Sequence, residues 1–263
     1  MYIHRFSSSK KKRISKRSIP VLMYHHVKKK NGFITVTIEN FEQQMRYIKE
    51  HNYNPITSLD LYNYLITGYL PAPKPILITF DDGFLDNYLY AFPILKKYNL
   101  KATIFAITSR IDEATADAQG NGEFCTWEIL KEMFSSGLID IQAHTHQHIR
   151  FDKSYDDKNR LLEVLKGDLQ KAKSLIEGRL SKKCKFMAWP WGFYNQEYTE
   201  LALMLGYQGM FTTKKGINIT GGDVTRIKRF VIKDKDERWL AQRLFIYSHA
   251  LLGNVYSKVV GKV

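Results

Sequence analysis

The feature that most constrains this fold is an apolar run that ends in two adjacent carboxylates. The segment from Ile76 to Phe80 is typical of a β-strand, and Asp81, Asp82 and Gly83 follow it directly. Neighbouring side chains on a strand point to opposite faces, but both can turn toward one cleft where the strand breaks into a loop. One aspartate could then bind a metal ion while the other handles a proton.

A second strand-like segment, Ile139 to Ala143, leads into three histidines. His144 and His148 are four residues apart, so they could converge on one ion if the chain curls into a turn after the strand. Zn²⁺ accepts imidazole together with carboxylate ligands, and a site with three protein ligands leaves one position open for water. The pattern predicts a hydrolytic metal site. The alternative is a solvated Asp-Asp-Gly turn and three polar loop histidines.

Strand and helix signals alternate along the chain. Phe41, Met45 and Ile48 have helical spacing, and Ser58 is predicted to cap a helix that stops at Gly68. Further strands are predicted at 21–23, 102–107, 139–143, 186–189, 210–213 and 229–232, and further helices at 88–98, 127–134 and 161–180. The alternation predicts an α/β fold with a parallel sheet and right-handed crossovers, either open or closed into a barrel.

Two segments between these elements are predicted to be irregular. Pro93 is expected to end one helical piece or to start another. The segment from Ser109 to Glu123 contains several acidic residues, Gly and Ala, which favours a surface loop. That loop could form a lid or substrate rim over the cleft, or it could be a tolerated insertion.

Three motifs carry a resemblance to a known family. The segment from Thr79 to Gly83 and the His144-Thr145-x-x-His148 pattern resemble the first two motifs of the polysaccharide deacetylases, carbohydrate esterase family 4. The segment 20–27 is similar to the branch that de-N-acetylates poly-β-1,6-N-acetylglucosamine, and the segment 188–192 is similar to the family's third motif. The resemblance covers residues 18–235.

The resemblance implies both a fold and a division of labour at the site. It implies an irregular (β/α) barrel with about seven parallel strands and a site at the C-terminal strand ends. Asp82, His144 and His148 would bind a divalent metal, with zinc favoured and cobalt, nickel or iron as alternatives. Asp81 would be the general base.

The third motif and one early histidine supply the predicted substrate contacts. Trp189 and Trp191 could offer flat faces to a pyranose ring on either side of Pro190, or they could be ordinary core residues. His25 is expected to line the floor of the cleft.

Two positions depart from the wider family pattern. Ala188 stands where the family usually has an arginine that orients the catalytic aspartate, so Arg226 or Arg229 could take that role, and Arg229 is favoured. The family's general acid is usually a late histidine, and only His249 is available there, in a segment that reads as helix. His146 is the alternative proton donor.

Length and charge divide the chain into three predicted parts. A chain of 263 residues with 44% hydrophobic residues is sufficient for one enzyme domain, placed at 18–253 and followed by a tail at 254–263. The net charge is +14, and much of it lies in a Ser-rich leader at 1–17 that is predicted to be disordered. The segment from Trp239 to Leu252 is predicted to be an amphipathic helix that docks on the barrel or lies on a membrane.

The same composition guides the predictions of partners and location. The basic clusters lie in the ends of the chain and do not alternate with aromatic residues, so no nucleic acid is expected. Neither a signal peptide nor a transmembrane run is recognised, and Cys125 and Cys184 are expected to be reduced thiols. We therefore expect a cytoplasmic monomer, with peripheral attachment to an anionic membrane as an alternative.

The function predicted from the sequence is metal-dependent removal of N-acetyl groups from an amino-sugar glycan. Poly-N-acetylglucosamine or an envelope polysaccharide intermediate is the expected substrate. Peptidoglycan, chitooligosaccharide and a lipid-linked amino sugar are alternatives within the same chemistry. A non-catalytic glycan-binding module is the competing class.

Overall fold

A computed structural model describes residues 17–117, 122–154 and 157–260. Most of the predicted leader therefore lies outside the described residues. The strands are β1 Val21–Tyr24, β2 His26–Lys28, β3 Thr35–Thr37, β4 Asn54–Pro55, β5 Pro75–Asp82, β6 Ala102–Ala106, β7 Ile139–Ala143, β8 Phe186–Ala188, β9 Gly209–Phe211 and β10 Phe230–Val231. The helices are α1 Ile38–Glu50, α2 Ser58–Thr67, α3 Phe92–Tyr98, α4 Thr108–Ala116, α5 Trp127–Ser135, α6 Phe151–Ser154, α7 Lys158–Leu180, α8 Gln196–Met204, α9 Glu237–Ser248 and α10 Ala250–Val260.

Seven strands form one parallel sheet in the order β10-β1-β5-β6-β7-β8-β9. A parallel bridge between Phe211 and Ile227 joins β9 to the segment that leads into β10, so the sheet curls round toward closure. The pairing of β7 with β8 is reduced to Ala143 and Met187, which makes the curl irregular. The predicted irregular (β/α) barrel with about seven strands is confirmed.

The interior of the barrel is filled by apolar side chains and closed at one end by α2. Leu77, Phe105 and Phe211 belong to this inner cluster. Ser58 faces inward, because its hydroxyl lies 3.1 Å from that of Thr103 on β6. The predicted N-cap at Ser58 is therefore wrong. The preceding threonine, Thr57, caps α2 through a reciprocal pair of bonds with Asp60, and Gly68 ends the helix at φ 72° as predicted.

The outer faces of the strands pack against helices. The long helix α7 is confirmed, and its predicted core positions are all buried: Leu161, Leu165, Leu169, Ala172, Ile176 and Leu180. Both cysteines are buried and unpaired, as expected. Among the described residues, no helix is both long and apolar enough to cross a lipid bilayer.

Two local predictions differ from the structure, and one is confirmed. The predicted loop after Ser109 begins with α4, because Ile111 and Ala114 lie three residues apart and both are buried. The expectation for Pro93 is confirmed: the helix predicted at 88–98 is divided into a π-helical turn, Asn87–Ala91, and α3, which carries Pro93 in its first turn. The predicted C-terminal helix breaks at His249, and the supposed tail continues as α10.

Candidate metal and catalytic site

The two aspartates at the end of β5 reach the same cleft because the last residue of the strand leaves the extended conformation. Asp82 has φ 75°, whereas a strand residue has a negative φ. Asp81 follows Thr79 on the face that points into the barrel, and both contact Arg229 there. Asp82 turns instead toward the histidines that follow β7. The predicted convergence at the strand end is thus present.

Asp82, His144 and His148 form a compact group of metal-ligand atoms. The Asp82 Oδ1 atom lies 3.4 Å from Nε2 of His144 and 3.6 Å from Nε2 of His148. These ligand atoms all lie within 4.8 Å of one another. The Asp82 Oδ1 atom is also buried without a hydrogen-bond partner among the described residues. A buried carboxylate oxygen facing two imidazoles is a donor set that suits a divalent cation.

The loop after β7 fixes the orientation of both histidines. His144 Nδ1 donates to the Ala188 carbonyl at 2.8 Å, which leaves the Nε2 lone pair directed at Asp82. Thr145 and His148 both have positive φ, 62° and 55°, so the chain curls back within four residues. The Thr145 hydroxyl accepts from the His148 N–H at 3.0 Å and stabilises this turn.

The protonation of the three side chains agrees with a cation site. Burial, followed by the charge of Asp81, raises the pKa of Asp82 to about 7. Burial lowers the pKa of His144, and burial together with His144 lowers the pKa of His148 to about 3. Both imidazoles are therefore neutral near pH 7, which is the form that coordinates a metal. A cation at the centre would favour the charged form of Asp82.

Asp81 is held by Arg229 in a fully buried, two-pronged ion pair. The guanidinium Nη1 and Nη2 atoms donate to the two carboxylate oxygens at 2.6 and 2.7 Å. Burial by itself raises the pKa of Asp81, but the charge of Arg229, the neighbouring His144 and the two hydrogen bonds bring that pKa below its usual range. The carboxylate is therefore ionised, and its plane is fixed by the pair.

Arg229 is the only one of the two candidate arginines that contacts Asp81. Its Nε donates to the Thr212 carbonyl at 3.0 Å, so the guanidinium is anchored at both edges. Arg226 is half exposed and pairs with Asp223 at 3.3 Å. The favoured assignment, Arg229, agrees with this geometry.

His25 lies closer to Asp81 than the sequence interpretation foresaw. Its Nε2 is 3.9 Å from Asp81 Oδ2, and its Nδ1 is buried without a hydrogen-bond partner among the described residues. Burial lowers the pKa of His25 to about 4, against the opposing charge of Asp81. The approach depends on strand register, which local sequence does not reveal: Tyr24 pairs with Phe80, and His25 and Asp81 are the residues that follow them.

The other two histidines proposed as proton donors lie away from this cluster. His146 Nδ1 is 2.9 Å from the Thr108 hydroxyl, and the ring borders a shallow cavity beside α7. His249 is exposed and lies in a cavity with Pro75, the first residue of β5. It is therefore at the opposite end of the barrel from Asp81. The suspicion that His249 is structural agrees with this placement.

The third motif separates into a buried part and an exposed part. Trp189 is only 1% exposed and Pro190 is buried, so neither can offer a face to a sugar. Their predicted substrate contacts are corrected to packing roles, because both side chains are buried directly after β8. Trp191 is 51% exposed at φ 52°, and its ring centre lies 4.2 Å from that of His148. Trp191 alone of the three borders the metal-ligand group from the solvent side.

Asp168 on α7 is a site-supporting residue that the sequence interpretation missed. Its carboxylate accepts from the backbone N–H groups of His146 and Gln147 at 2.7 and 2.8 Å, so it holds the loop that carries His148. The signal was a carboxylate between the buried positions Leu165 and Leu169 of an amphipathic helix. A buried acid on an apolar face needs a specific partner.

Comparison with known proteins identifies the class that this fold and site define. The family model described as polysaccharide deacetylase matches residues 70–210, more than half of the chain. The chain therefore belongs to the polysaccharide deacetylase family. This confirms the family predicted from the Asp-Asp-Gly and histidine motifs.

Individual relatives agree with this assignment. YxkH of Bacillus subtilis (strain 168) is 32% identical over 75% of this chain and 65% of that protein. The match therefore spans just under two thirds of the length of YxkH, whose own assignment as a polysaccharide deacetylase is provisional. The poly-beta-1,6-N-acetyl-D-glucosamine N-deacetylase of Staphylococcus epidermidis is 29% identical over 86% of this chain and 83% of that protein. The structure of the Streptococcus pyogenes deacetylase PplD in complex with acetate is 27% identical, covers 88% of this chain and 99% of that chain, and superimposes with a TM-score of 0.78.

Proposed function

We propose that this protein is a metal-dependent N-deacetylase that removes acetyl groups from an N-acetylated amino-sugar glycan. The observation that carries the proposal is the group Asp82, His144 and His148 beside a second aspartate fixed by Arg229. A ligand group with an adjacent ionised carboxylate suits hydrolysis of an unactivated amide. The acetate complex of the related PplD supports acetyl release as the reaction.

Asp82, His144 and His148 would hold the metal, and zinc is the ion we favour because its usual ligands are neutral imidazole and carboxylate. When bound, the ion would supply a Lewis acid that polarises the acetamide carbonyl and makes water a stronger acid. Cobalt, nickel and iron also accept this donor set. Metal-content measurement of the protein as purified distinguishes them.

Asp81 is assigned the role of the general base that takes a proton from the attacking water. Arg229 keeps this carboxylate ionised and fixes its plane with two hydrogen bonds. Without such a restraint the carboxylate could rotate toward the metal ligands, because Asp81 Oδ2 is 4.0 Å from Nε2 of His144. Arg229 is therefore a positioning residue.

His25 is assigned as the proton donor to the amine leaving group, in place of His146 and His249. Its Nε2 faces Asp81 at 3.9 Å, so a proton taken up by the aspartate has a nearby acceptor. An amine leaves an amide only when its nitrogen is protonated, whereas a phenol leaves an ester unaided. His25→Gln should abolish deacetylation of N-acetylglucosamine oligomers but retain hydrolysis of a nitrophenyl acetate. Equal loss on both substrates would contradict this role.

The glycan that we favour is poly-β-1,6-N-acetylglucosamine or a related envelope polymer. The match to the Staphylococcus epidermidis enzyme over most of both chains supports this choice. The exposed ring of Trp191 beside His148 supplies an apolar face on which a pyranose could stack.

Acetate release from a panel of N-acetylated glycans, with and without added zinc, tests the proposed function. We expect metal-dependent release from β-1,6-linked oligomers, and release of similar size from Asp81→Asn would be incompatible with it. Peptidoglycan fragments, chitooligosaccharides and lipid-linked amino sugars belong in the same panel. Binding of these glycans without acetate release from any of them would establish a binding module instead.

A further inference from the structure

The chain segments that lead into the barrel strands lie at the end of the barrel opposite Asp81, and they carry positive charge. Six of the seven strands, β1, β5, β6, β7, β8 and β9, are preceded by such a segment at 17–20, 68–74, 99–101, 136–138, 181–185 and 206–208, whereas β10 follows the longer segment 212–229. The six segments contain no Asp or Glu, and their basic residues are Arg17, Lys74, Lys101, Lys182, Lys183 and Lys185. We call this end of the barrel, together with the exposed side of α10, the basal face.

A cavity in the basal face combines lysines with an apolar lining. Its volume is about 330 Å³, and it is lined by Lys101 and Lys185 together with Leu59, Phe134 and Phe186. Neither Lys101 nor Lys185 has a carboxylate within ion-pair distance among the described residues. The cavity therefore offers unneutralised positive charge over an apolar floor.

Two further lysines of the same cavity are partly neutralised. Lys182 pairs with Asp140, and Lys183 lies 3.8 Å from Glu177. These two lysines add less to an external field than Lys101 and Lys185, because a neighbouring carboxylate cancels part of their charge. The unpaired lysines are consequently the ones to alter in an experiment.

Helix α10, which begins beside the amino end of the barrel, carries an exposed apolar stripe. Leu251, Val255 and Val259 are four residues apart and are 84%, 64% and 65% exposed. Leu252 and Phe245 are also exposed beside them. Within residues 245–259 there are five of the fourteen large hydrophobic side chains that are exposed in the described part of the chain. A stripe of this kind is unfavourable in water and favourable at a lipid surface.

The start of β1 and the junction of α9 and α10 meet at this same face. The Ser18 N–H donates to the Ser248 carbonyl at 3.3 Å, so the junction of α9 and α10 lies beside the start of β1. Arg17, Lys74 and Phe245 line a shared cavity of about 340 Å³ there. Residues 1–16 therefore join the described chain at the basal face, and their sequence contains the basic residues Arg5, Lys10, Lys11, Lys12, Arg13 and Lys16.

We propose that the basal face docks on an anionic lipid bilayer. The lysines attract anionic headgroups, while the apolar stripe of α10 enters the boundary between headgroups and acyl chains. The basic leader joins the described chain at Arg17 and adds further positive charge to the molecule. The candidate active site lies at the other end of the strands, so a docked molecule opens its cleft away from the bilayer. This proposal does not depend on the enzymatic function.

Co-sedimentation of the full chain with lipid vesicles tests the proposal. Vesicles of phosphatidylcholine alone are compared with vesicles that also contain phosphatidylglycerol, at low and at high salt. We expect sedimentation with the anionic vesicles and partial release at high salt, because exposed charges are screened within about 10 Å at 0.1 M salt. A chain that stays in the supernatant with anionic vesicles at low salt would overturn the proposal.

Matched triple variants distinguish the basal face from the overall net charge. Lys74→Gln, Lys101→Gln and Lys185→Gln together should weaken binding on the order of a hundredfold, because each lysine near an anionic surface contributes about fivefold. The control changes three exposed lysines that follow the carboxyl ends of β2 and β7, Lys29→Gln, Lys30→Gln and Lys153→Gln. Equal weakening by both triples would show that only net charge matters, and the proposal would fail.

The apolar stripe and the leader have their own tests. Leu251→Ser with Val255→Ser should remove the salt-resistant part of the binding, whereas Phe33→Ser, an equally exposed apolar residue between β2 and β3, should not. Replacing Lys10, Lys11, Lys12 and Arg13 by Gln in the full chain should weaken binding further. Stronger binding after this replacement would indicate that the leader covers the basal face, contrary to the proposal. Thermal unfolding of every variant confirms that it is folded.

A soluble polyanion provides the remaining comparison. The affinity of the wild-type chain and of the basal triple variant is measured for single-stranded RNA, for an acidic polysaccharide and for vesicles. The lipid proposal is wrong if the wild-type chain binds a polymer more tightly than the vesicles and the triple variant loses as much affinity for that polymer as for the vesicles. The partner would then be a polyanion. We expect the reverse order of affinities, because a polymer without acyl chains cannot bury the stripe on α10.

Discussion

The charged groups at the two ends of the barrel differ in burial and in pairing. At the carboxyl ends of the strands, Asp81 and Arg229 are buried and held to each other by two hydrogen bonds. At the amino ends, Lys101 and Lys185 border an open cavity without a carboxylate partner among the described residues. A buried charge depends strongly on each neighbour, whereas an exposed charge acts additively and is screened by salt. Chemistry is therefore expected at one end and surface attachment at the other.

We expect the largest effect from substitutions of the three proposed metal ligands. Asp82→Ala, His144→Ala and His148→Ala should each abolish bound metal and turnover, because each removes one of three convergent donors. A chelator should have the same effect on the wild-type protein, and added zinc should reverse it. His146→Ala is the matched control, since this side chain contacts Thr108 and not the group. Elemental analysis of all four variants decides the ligand set, and full metal content in any of the first three would show that the assignment is wrong.

The next effect in size separates the two aspartates. Asp81→Asn should retain most of the metal, because Asp81 is not among the three ligand residues, and kcat should fall at least about a hundredfold. The amide oxygen can still accept a hydrogen bond from Arg229, so the protein should remain folded but become less stable. Metal content and steady-state kinetics on the same preparation test this. Near-normal turnover would place the base elsewhere.

Substitution of Arg229 tests whether stability depends more on a buried ion pair than on an exposed one. Arg229→Met should lower the free energy of unfolding by about 3–5 kcal/mol, because it leaves Asp81 charged and unpaired in the interior. Arg226→Met is the matched control, since Arg226 is half exposed and pairs only with Asp223, and it should change stability by less than about 1 kcal/mol. Denaturant unfolding of both variants provides the comparison. Equal losses of unfolding free energy in the two variants would mean that the buried pair contributes no more to stability than the exposed one.

The exposed tryptophan provides a smaller effect at the same end of the barrel. Trp191→Ala should raise KM roughly two- to tenfold at nearly constant kcat, the scale of one aromatic stacking contact. Trp189→Phe should leave KM unchanged and lower the melting temperature, because Trp189 is buried in the core. A rise of KM in the second variant and not in the first would reverse the two assignments.

The smallest effect is expected at the basal face. Lys101→Gln combined with Lys185→Gln should leave metal content unchanged and alter kcat on a small soluble substrate by less than about twofold, as is usual for surface substitutions. The same variant should change vesicle binding, so the two ends of the barrel would respond independently. A large loss of turnover here would show that the ends are coupled.

The sequence by itself determined the class of fold and the identity of the chemical groups. Apolar runs and helical spacing indicated alternating strands and helices, since these periodicities depend on local backbone geometry. The placement of Asp81, Asp82 and His144 directly after strand-like runs was sufficient to predict a common site, because parallel strands end at the same edge. The same local reasoning failed at Ser58 and in the segment after Ser109, where packing against neighbouring elements decided the cap and the helix.

Only the tertiary structure decided which side chains meet. The choice of Arg229 over Arg226, the approach of His25 to Asp81 and the burial of Trp189 depend on strand register and on the curl of the sheet. The basal face likewise arises from six separate segments that are adjacent only in the barrel. The contact between Arg229 and Asp81 joins residues that are 148 positions apart. Local sequence cannot encode such distances, because they are set by how the whole sheet closes around its core.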